Sequence, residues 1–133
     1  MRTFQLCGLA AVALLTLCTH ALAEGDATKG KVVYAKCGVC HQVGPGATTL
    51  VGPELNGIVG RKAASVAGYA MYSAGMKKLG EEGFVWNEQN LDNWIADPKA
   101  MIADSPMALA FQGIPDAGER ADIISYLKTV PAQ

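Results

Sequence analysis

This chain has few histidines and cysteines and almost no surplus of charge of either sign. Its 133 residues include 2 His and 4 Cys, and 11 basic side chains are balanced by 12 acidic ones for a net charge of −1. No basic tract is present, so the sequence gives no indication of nucleic-acid binding. Nor do repeats, a long low-complexity linker or a convincing pair of alternating strands occur. These absences favour a small, single helical domain.

The first 23 residues have the features of a secretory signal peptide. Arg2 supplies a positive start, residues 6–17 an apolar run, and Ala21-Leu22-Ala23 a small-residue cleavage site. The run is too short, and Glu24 follows it too closely, for a stable membrane span. We therefore predict a signal peptide at residues 1–23, a domain at residues 24–133 and export to the periplasm. A retained N-terminal anchor is the alternative.

Cleavage would leave few residues able to hold a metal. Two of the cysteines and His20 fall within the signal peptide, so the mature chain keeps only Cys37, Cys40 and His41. No other cysteine is then available for a disulfide scaffold. A single histidine excludes a bis-histidine haem within one chain. It also weakens the case for zinc, which would need a carboxylate to complete even three protein ligands.

The three remaining residues form the sequence Cys37-Gly38-Val39-Cys40-His41, which is typical of the attachment site of a c-type haem. Positions i, i+3 and i+4 share one face of a helix. Both sulfurs can therefore reach the two vinyl groups of one porphyrin while the imidazole reaches the iron. One motif predicts one covalently attached haem c. A thiol redox site and half of a zinc site are the alternative interpretations.

Capping residues and apolar spacing predict four helices joined by long loops. They begin at or after Asp26, Ser73, Asn87 and Asp116 and end near Cys37, Gly80, Asp97 and Pro131. The last helix carries Ile123, Ile124, Leu127 and Val130 at i, i+1, i+4 and i+7, which predicts a buried stripe. Residues 47–70 are rich in glycine and small residues, which indicates an irregular wrap. The fold class is therefore all-α.

Methionine is the strong candidate for an iron ligand opposite His41. The mature chain offers Met71, Met76, Met101 and Met107. Most methionines fill cores. Met107 differs because it follows Ser105-Pro106 in a predicted loop between two helices, where no helix backbone blocks the approach of the thioether to iron. Ligation by lysine would need a desolvated, neutral amine.

From end to end, the mature chain resembles the class I soluble cytochromes c, in particular the bacterial periplasmic members close to mitochondrial cytochrome c. Residues 52–61 are similar to the family pattern Gly-Pro-x-Leu-x-Gly-x-x-Gly-Arg. The other matching positions are Gly30, Tyr34, Gly68-Tyr69, Tyr72-Ser73, Trp86, Leu91, Asp97-Pro98-Lys99, Phe111, Gly113 and residues 120–127. The resemblance implies the small class I cytochrome c fold, with few helices and long loops wrapped around one covalent haem. Gly30, Tyr34 and Tyr126 would form the crossing of its first and last helices.

The resemblance also implies roles for individual side chains around the haem. The carbonyl of Pro53 would accept a hydrogen bond from the ring nitrogen of His41 that does not bind iron, and so fix the imidazole. Arg61, Tyr72 and Trp86 would donate hydrogen bonds to the buried haem propionates.

The segment around Met107 is two residues longer than the family pattern. Aligned forwards along the chain, Met107 takes the ligand position, whereas alignment backwards from Gly113 gives that position to Leu109. Leucine cannot bind iron, so we predict ligation by Met107, with the additional residues bulging after it and Phe111 covering the haem edge. Trp94 would lie near the ligand sulfur, where its indole N–H can only donate.

The function that follows is one-electron transfer by a monomer rather than enzyme catalysis. With His41 and Met107 on the two axial positions, the iron would cycle between its ferric and ferrous states and leave no site for a substrate. The expected partners are respiratory or photosynthetic redox proteins that dock transiently at the haem edge: a quinol–cytochrome c oxidoreductase, a terminal oxidase, a photosynthetic reaction centre or a periplasmic dehydrogenase. Lys36 and Lys99 would steer the encounter with acidic partners.

Two alternatives remain open. If Met107 does not ligate, the chain would be a five-coordinate haem protein with gas-binding or weak peroxidase activity. A dedicated acceptor bound to one periplasmic dehydrogenase would differ in its partner and not in its chemistry.

Overall fold

Residues 24–133 are described by a computed structural model, and in this part of the chain seven helices are joined by loops without a strand. The helices are α1 (Ala27–Val33), α2 (Ala35–Gly38), α3 (Ala74–Glu81), α4 (Glu88–Ala96), α5 (Pro98–Met101), α6 (Pro106–Ala110) and α7 (Ala117–Lys128). The all-α prediction is confirmed. The predicted signal peptide at residues 1–23 lies outside the described residues. No helix within residues 24–133 is long and apolar enough to cross a membrane.

Side-chain caps begin the four longest helices at the positions that the sequence indicated. Asp26 accepts from the backbone N–H groups of the first turn of α1, and Ser73 accepts from that of Met76 at the start of α3. Asn87 and Asp116 cap α4 and α7 in the same way. Each cap satisfies donors that the first turn of a helix leaves unpaired, which is why these boundaries can be read locally.

The first and last helices cross at Gly30 and form the main helix pair of the core. A Cβ at Gly30 would lie 1.8 Å from the carbonyl oxygen of Asp122, so only glycine permits this approach. Beside the crossing the rings of Tyr34 and Tyr126 have centroids 5.4 Å apart. Ile123 of the last helix is fully buried. The crossing implied by the family resemblance is therefore present.

The ends of the helices follow the sequence predictions less closely than their starts. Helix α3 ends at Glu81, directly after Gly80, and this glycine packs closely against the backbone of Ala63. Helix α7 ends at Lys128, before Pro131. The predicted stop at Asp97-Pro98 is present, but the same dipeptide also begins the short helix α5, with Asp97 as its cap.

Residues 41–73 wrap around one side of the helices with little regular structure. Asn56 is buried and holds two parts of this wrap together: its amide accepts from the backbone N–H of Gly44 at 2.7 Å and donates to the Gly44 carbonyl at 3.0 Å. The backbones of Arg61 and Trp86 are linked by a hydrogen bond of 2.9 Å. The wrap therefore forms a fixed wall facing α4, α6 and α7.

Candidate functional site

A cavity of about 250 Å³ lies between the wrap and the helices. Every residue predicted to bind haem or iron lines it: Cys37, Cys40, His41, Pro53, Arg61, Tyr72, Trp86, Trp94, Met107 and Phe111. They come from the whole length of the domain, and so the fold brings together side chains up to 74 positions apart in the numbering of the chain. Apolar core residues of α4 and α7 form the rest of its floor.

Cys37 lies in α2, and Cys40 lies in the turn that follows this helix. The backbone N–H of His41 donates to the carbonyl of Cys37 at 2.9 Å, and that of Cys40 donates to the same oxygen at 3.0 Å. Both thiols are free. Burial raises the pKa of the Cys37 thiol to about 11, against the opposing effect of Lys36. Since redox-active cysteines have lowered pKa values, this environment does not suit a thiol redox site.

The imidazole of His41 is held in one orientation from two sides. Its Nδ1–H donates to the carbonyl oxygen of Pro53 at 2.7 Å, which leaves Nε2 as the nitrogen able to bind a metal. Gly52 lies against the ring, where a Cβ would be 2.2 Å from Cε1. Burial lowers the pKa of His41, and the nearby Arg61 also lowers it. The neutral imidazole needed for metal binding is therefore favoured.

Met107 does not lie in a loop, as its sequence context suggested, but in the first turn of α6. Pro106 opens this short helix, and Ser105 caps it by accepting from the backbone N–H of Met107 at 3.2 Å. The residues directly after Met107, where we expect the two additional residues to bulge, continue this helix as far as Ala110. Leu109, the other residue that alignment placed at the ligand position, is 76 % exposed.

The other methionines occupy different surroundings. Met76 is buried in α3 and also lines the cavity, whereas Met71 lies at its rim and is 53 % exposed. Met101 is half-buried in α5 and packs against the core. The geometry therefore leaves Met107 and Met76 as the two methionines able to present a sheltered thioether to the cavity.

Arg61 is engaged by a carboxylate that had no predicted role. Its guanidinium donates to Glu54 Oε1 at 2.7 Å, to the Glu54 carbonyl at 2.7 Å and to the Asn56 carbonyl at 3.0 Å. The other oxygen of Glu54 accepts from the backbone N–H of Asn56 at 2.6 Å. The pair is four-fifths buried. The signal in the sequence that could have indicated this pair is an acidic residue close to an arginine in the Gly-Pro segment.

Aromatic side chains form the remaining wall. The rings of Trp86 and Trp94 are tilted with centroids 5.6 Å apart, and both residues are buried. Tyr72 packs edge-on against Tyr69 at 4.7 Å, and its hydroxyl accepts from the backbone N–H of Val66 at 3.2 Å. Phe111 follows α6 and is half-buried at the cavity. These rings give the cavity the flat apolar surfaces that a porphyrin requires.

The residues present fit a covalently attached haem. Two free thiols and an oriented imidazole face an apolar, ring-lined cavity, and a thioether lies on its wall. By contrast, no group of three or more His, Cys, Asp and Glu side chains able to hold a metal ion occurs within residues 24–133. The donor set therefore suits haem iron better than zinc.

Comparison with known proteins agrees with this geometry. Residues 27–131 match the cytochrome c family. The chain is 45 % identical over 104 residues to cytochrome c2 of Agrobacterium tumefaciens, covering 78 % of this chain and 91 % of that protein. It is 40 % identical over 121 residues to cytochrome c2 of Rhodomicrobium vannielii, covering 91 % and 92 %.

Solved structures show the same fold. The structure of cytochrome c2 from Rhodospirillum centenum superposes with a TM-score of 0.70 at 36 % identity, covering 81 % of this chain and all of that one. The fold, the Cys-x-x-Cys-His turn and the sequence match all agree. The chain therefore belongs to the cytochrome c family and is an electron-transfer protein, not an enzyme, with one covalently bound haem c, and Cys37 and Cys40 lie at its Cys-x-x-Cys-His position.

Proposed function

We propose that this cytochrome is a periplasmic one-electron carrier whose haem iron is ligated by His41 and Met107. The observation that carries the proposal is the arrangement of these two residues on one cavity: Pro53 fixes the imidazole, and α6 presents the thioether. Bound haem c supplies one-electron ferric–ferrous chemistry, and histidine–methionine ligation raises its reduction potential relative to harder ligands. The protein would then supply both of the iron's ligands outside the porphyrin and leave no site for a substrate.

The surrounding side chains would tune this centre without taking part in a reaction. We assign Arg61, Tyr72 and Trp86 as donors towards the haem propionates, since all three line the cavity. Glu54 would offset the charge of Arg61 and hold its guanidinium in place. Trp94 would lie by the ligand sulfur with a donor-only N–H.

Partner proteins would dock where the edge of the haem reaches the surface, beside Phe111. The candidates are a quinol–cytochrome c oxidoreductase, a terminal oxidase, a photosynthetic reaction centre or a periplasmic dehydrogenase, and the carrier would act as a monomer. Lys36 forms an ion pair with Glu119, which reduces its contribution to steering, whereas Lys99 is exposed at the start of α5. Association rates should therefore depend only weakly on salt, because attraction between exposed charges is screened over about 10 Å at ~0.1 M.

The test of the ligand assignment is Met107→Ala in the purified holoprotein. The wild-type ferric protein should be low-spin with the weak red band of sulfur-to-iron charge transfer. Met107→Ala should abolish that band, lower the reduction potential and let carbon monoxide bind the ferrous iron. Met76→Leu, from the same cavity wall, and Met101→Leu should leave all three properties nearly unchanged.

Two results would contradict the proposal. Rapid binding of carbon monoxide by the wild-type ferrous protein, with no further change in Met107→Ala, would favour a five-coordinate gas-binding or peroxidase function. Loss of the red band in Met76→Leu in place of Met107→Ala would move the ligand to α3.

A further inference from the structure

The turn between α5 and α6 is tied to the start of α3 by one carboxylate. The hydroxyl of Ser73 donates to Asp104 Oδ1 at 3.1 Å, and the backbone N–H of Gly75 donates to Asp104 Oδ2 at 3.1 Å. Both oxygens of one side chain thus join segments about 30 positions apart in sequence. A carboxylate at a helix N-terminus is also favoured by the helix dipole.

The chain between this contact and Met107 is held at each step. Ile102 and Ser105 are buried, at 5 % and 4 % exposure. The backbone N–H of Ser105 donates to the carbonyl of Ile102 at 3.1 Å, and its hydroxyl accepts from the N–H of Met107. A displacement of Asp104 would therefore also displace Met107, because the short segment between them is held by burial and hydrogen bonds. On the other side of the contact, Met76 of α3 lines the same cavity.

Gly75 makes this close approach possible. A Cβ at this position would lie 2.6 Å from Asp104 Oδ1 and 2.7 Å from Cγ2 of Ile102. Because Ile102 is buried in the core, it cannot turn away, and a larger residue would push the turn off α3. Glycine inside a helix lowers helix stability relative to alanine. The contact with the turn gives a physical reason for glycine here.

We propose that Asp104 and Gly75 form a positioning pair for the iron ligand Met107. Their contact sets how firmly α6 holds the thioether and therefore how readily the sulfur–iron bond opens. Asp104 is exposed and acts only through the turn, so it is a positioning residue and not a ligand. The inference rests on the proposed ligation by Met107.

The experiment measures the rate at which cyanide binds the ferric holoprotein, since cyanide reaches the iron only after the thioether leaves. Asp104→Ala removes both hydrogen bonds and should raise this rate about tenfold, which corresponds to ~1.4 kcal/mol. Gly75→Ala should also raise the rate of cyanide binding, although alanine has a higher helix propensity than glycine. Asp104→Asn keeps an acceptor for the N–H of Gly75 and should give an intermediate rate. The control is Asp116→Ala, which removes the cap of α7 and should lower global stability without raising the rate.

Each outcome bears on the proposal. Faster cyanide binding in Asp104→Ala and Gly75→Ala, with the rate of Asp116→Ala unchanged, supports the positioning pair. Unchanged rates in both variants would overturn the pair while leaving ligation by Met107 intact, as long as Met107→Ala itself binds cyanide rapidly. An equal increase in Asp116→Ala would assign the effect to global stability and also overturn it. A wild-type protein without the red charge-transfer band would overturn both this inference and the proposed ligation.

Discussion

Replacing Gly52 by alanine should disturb the imidazole of His41 more than any other methyl-sized change near the haem motif. A Cβ at this position would lie 2.2 Å from Cε1, 2.5 Å from Nδ1 and 2.8 Å from Nε2 of the ring. Ordinary contact begins near 3.4 Å, so the ring or the loop must move by about 1 Å. Such a shift is incompatible with the 2.7 Å bond between Nδ1 and the carbonyl of Pro53.

The expected cost combines two effects. Overpacking costs about 1–3 kcal/mol, and the loss of one hydrogen bond costs a further ~0.5–1.5 kcal/mol. We therefore expect the free energy of unfolding of Gly52→Ala to fall by about 1.5–4.5 kcal/mol, the sum of these two ranges. For a domain of this size, that loss lowers Tm by roughly 6–18 °C. Denaturant and thermal unfolding of the purified holoprotein, followed by the haem absorbance, measure both quantities.

Gly38 provides a matched control within the same motif. It lies in α2, and the nearest heavy atom to a Cβ there is Cε1 of Tyr34 at 4.0 Å. Gly38→Ala should be neutral, or should stabilise the protein by about 0.5–1 kcal/mol through helix propensity. Equal stabilities of Gly52→Ala and Gly38→Ala would refute this prediction, because a methyl group at position 52 would then fit beside the imidazole without displacing it.

Three further changes test other parts of the molecule. Tyr34→Phe should remove a 3.1 Å hydrogen bond from the phenol to the carbonyl of His41, at a cost of ~1 kcal/mol. Because burial raises the pKa of Tyr34 above its ordinary value of 10, the phenol contributes stability that is present below pH 10 and lost as the pH rises above it. Between pH 8 and 11 the free energy of unfolding should therefore fall less steeply with pH in the variant than in the wild type. An identical slope in both proteins would contradict this cause. Ile123→Ala should cost about 2–5 kcal/mol in denaturant unfolding, since the side chain is fully buried, and a loss below ~1 kcal/mol would mean that the helix crossing can collapse around the gap. Glu54→Gln should cost ~1–3 kcal/mol and raise the reduction potential in voltammetry, because the charge of Arg61 then lacks its partner near the cavity, and an unchanged potential would place that charge too far from the haem to act on it.

Local chemistry was enough to predict much of this protein from its sequence. The Cys37–His41 motif specifies its cofactor because thiol spacing on one helical turn is a short-range property. The caps at Asn87 and Asp116 mark helix starts because they act within three residues of the chain. The apolar stripe of α7 was predicted correctly for the same reason: its period is that of the helix itself.

Tertiary structure decided the features that depend on distant parts of the chain. The sequence suggested a loop at Met107, but a helical turn capped by the buried Ser105 forms there, and Leu109 is exposed to solvent. The pairing of Glu54 with Arg61 also depends on the fold, since the folded wrap encloses the two side chains together. The residues concerned are close together in the chain, but their burial depends on packing against distant segments, which the spacing of residues in the sequence does not determine.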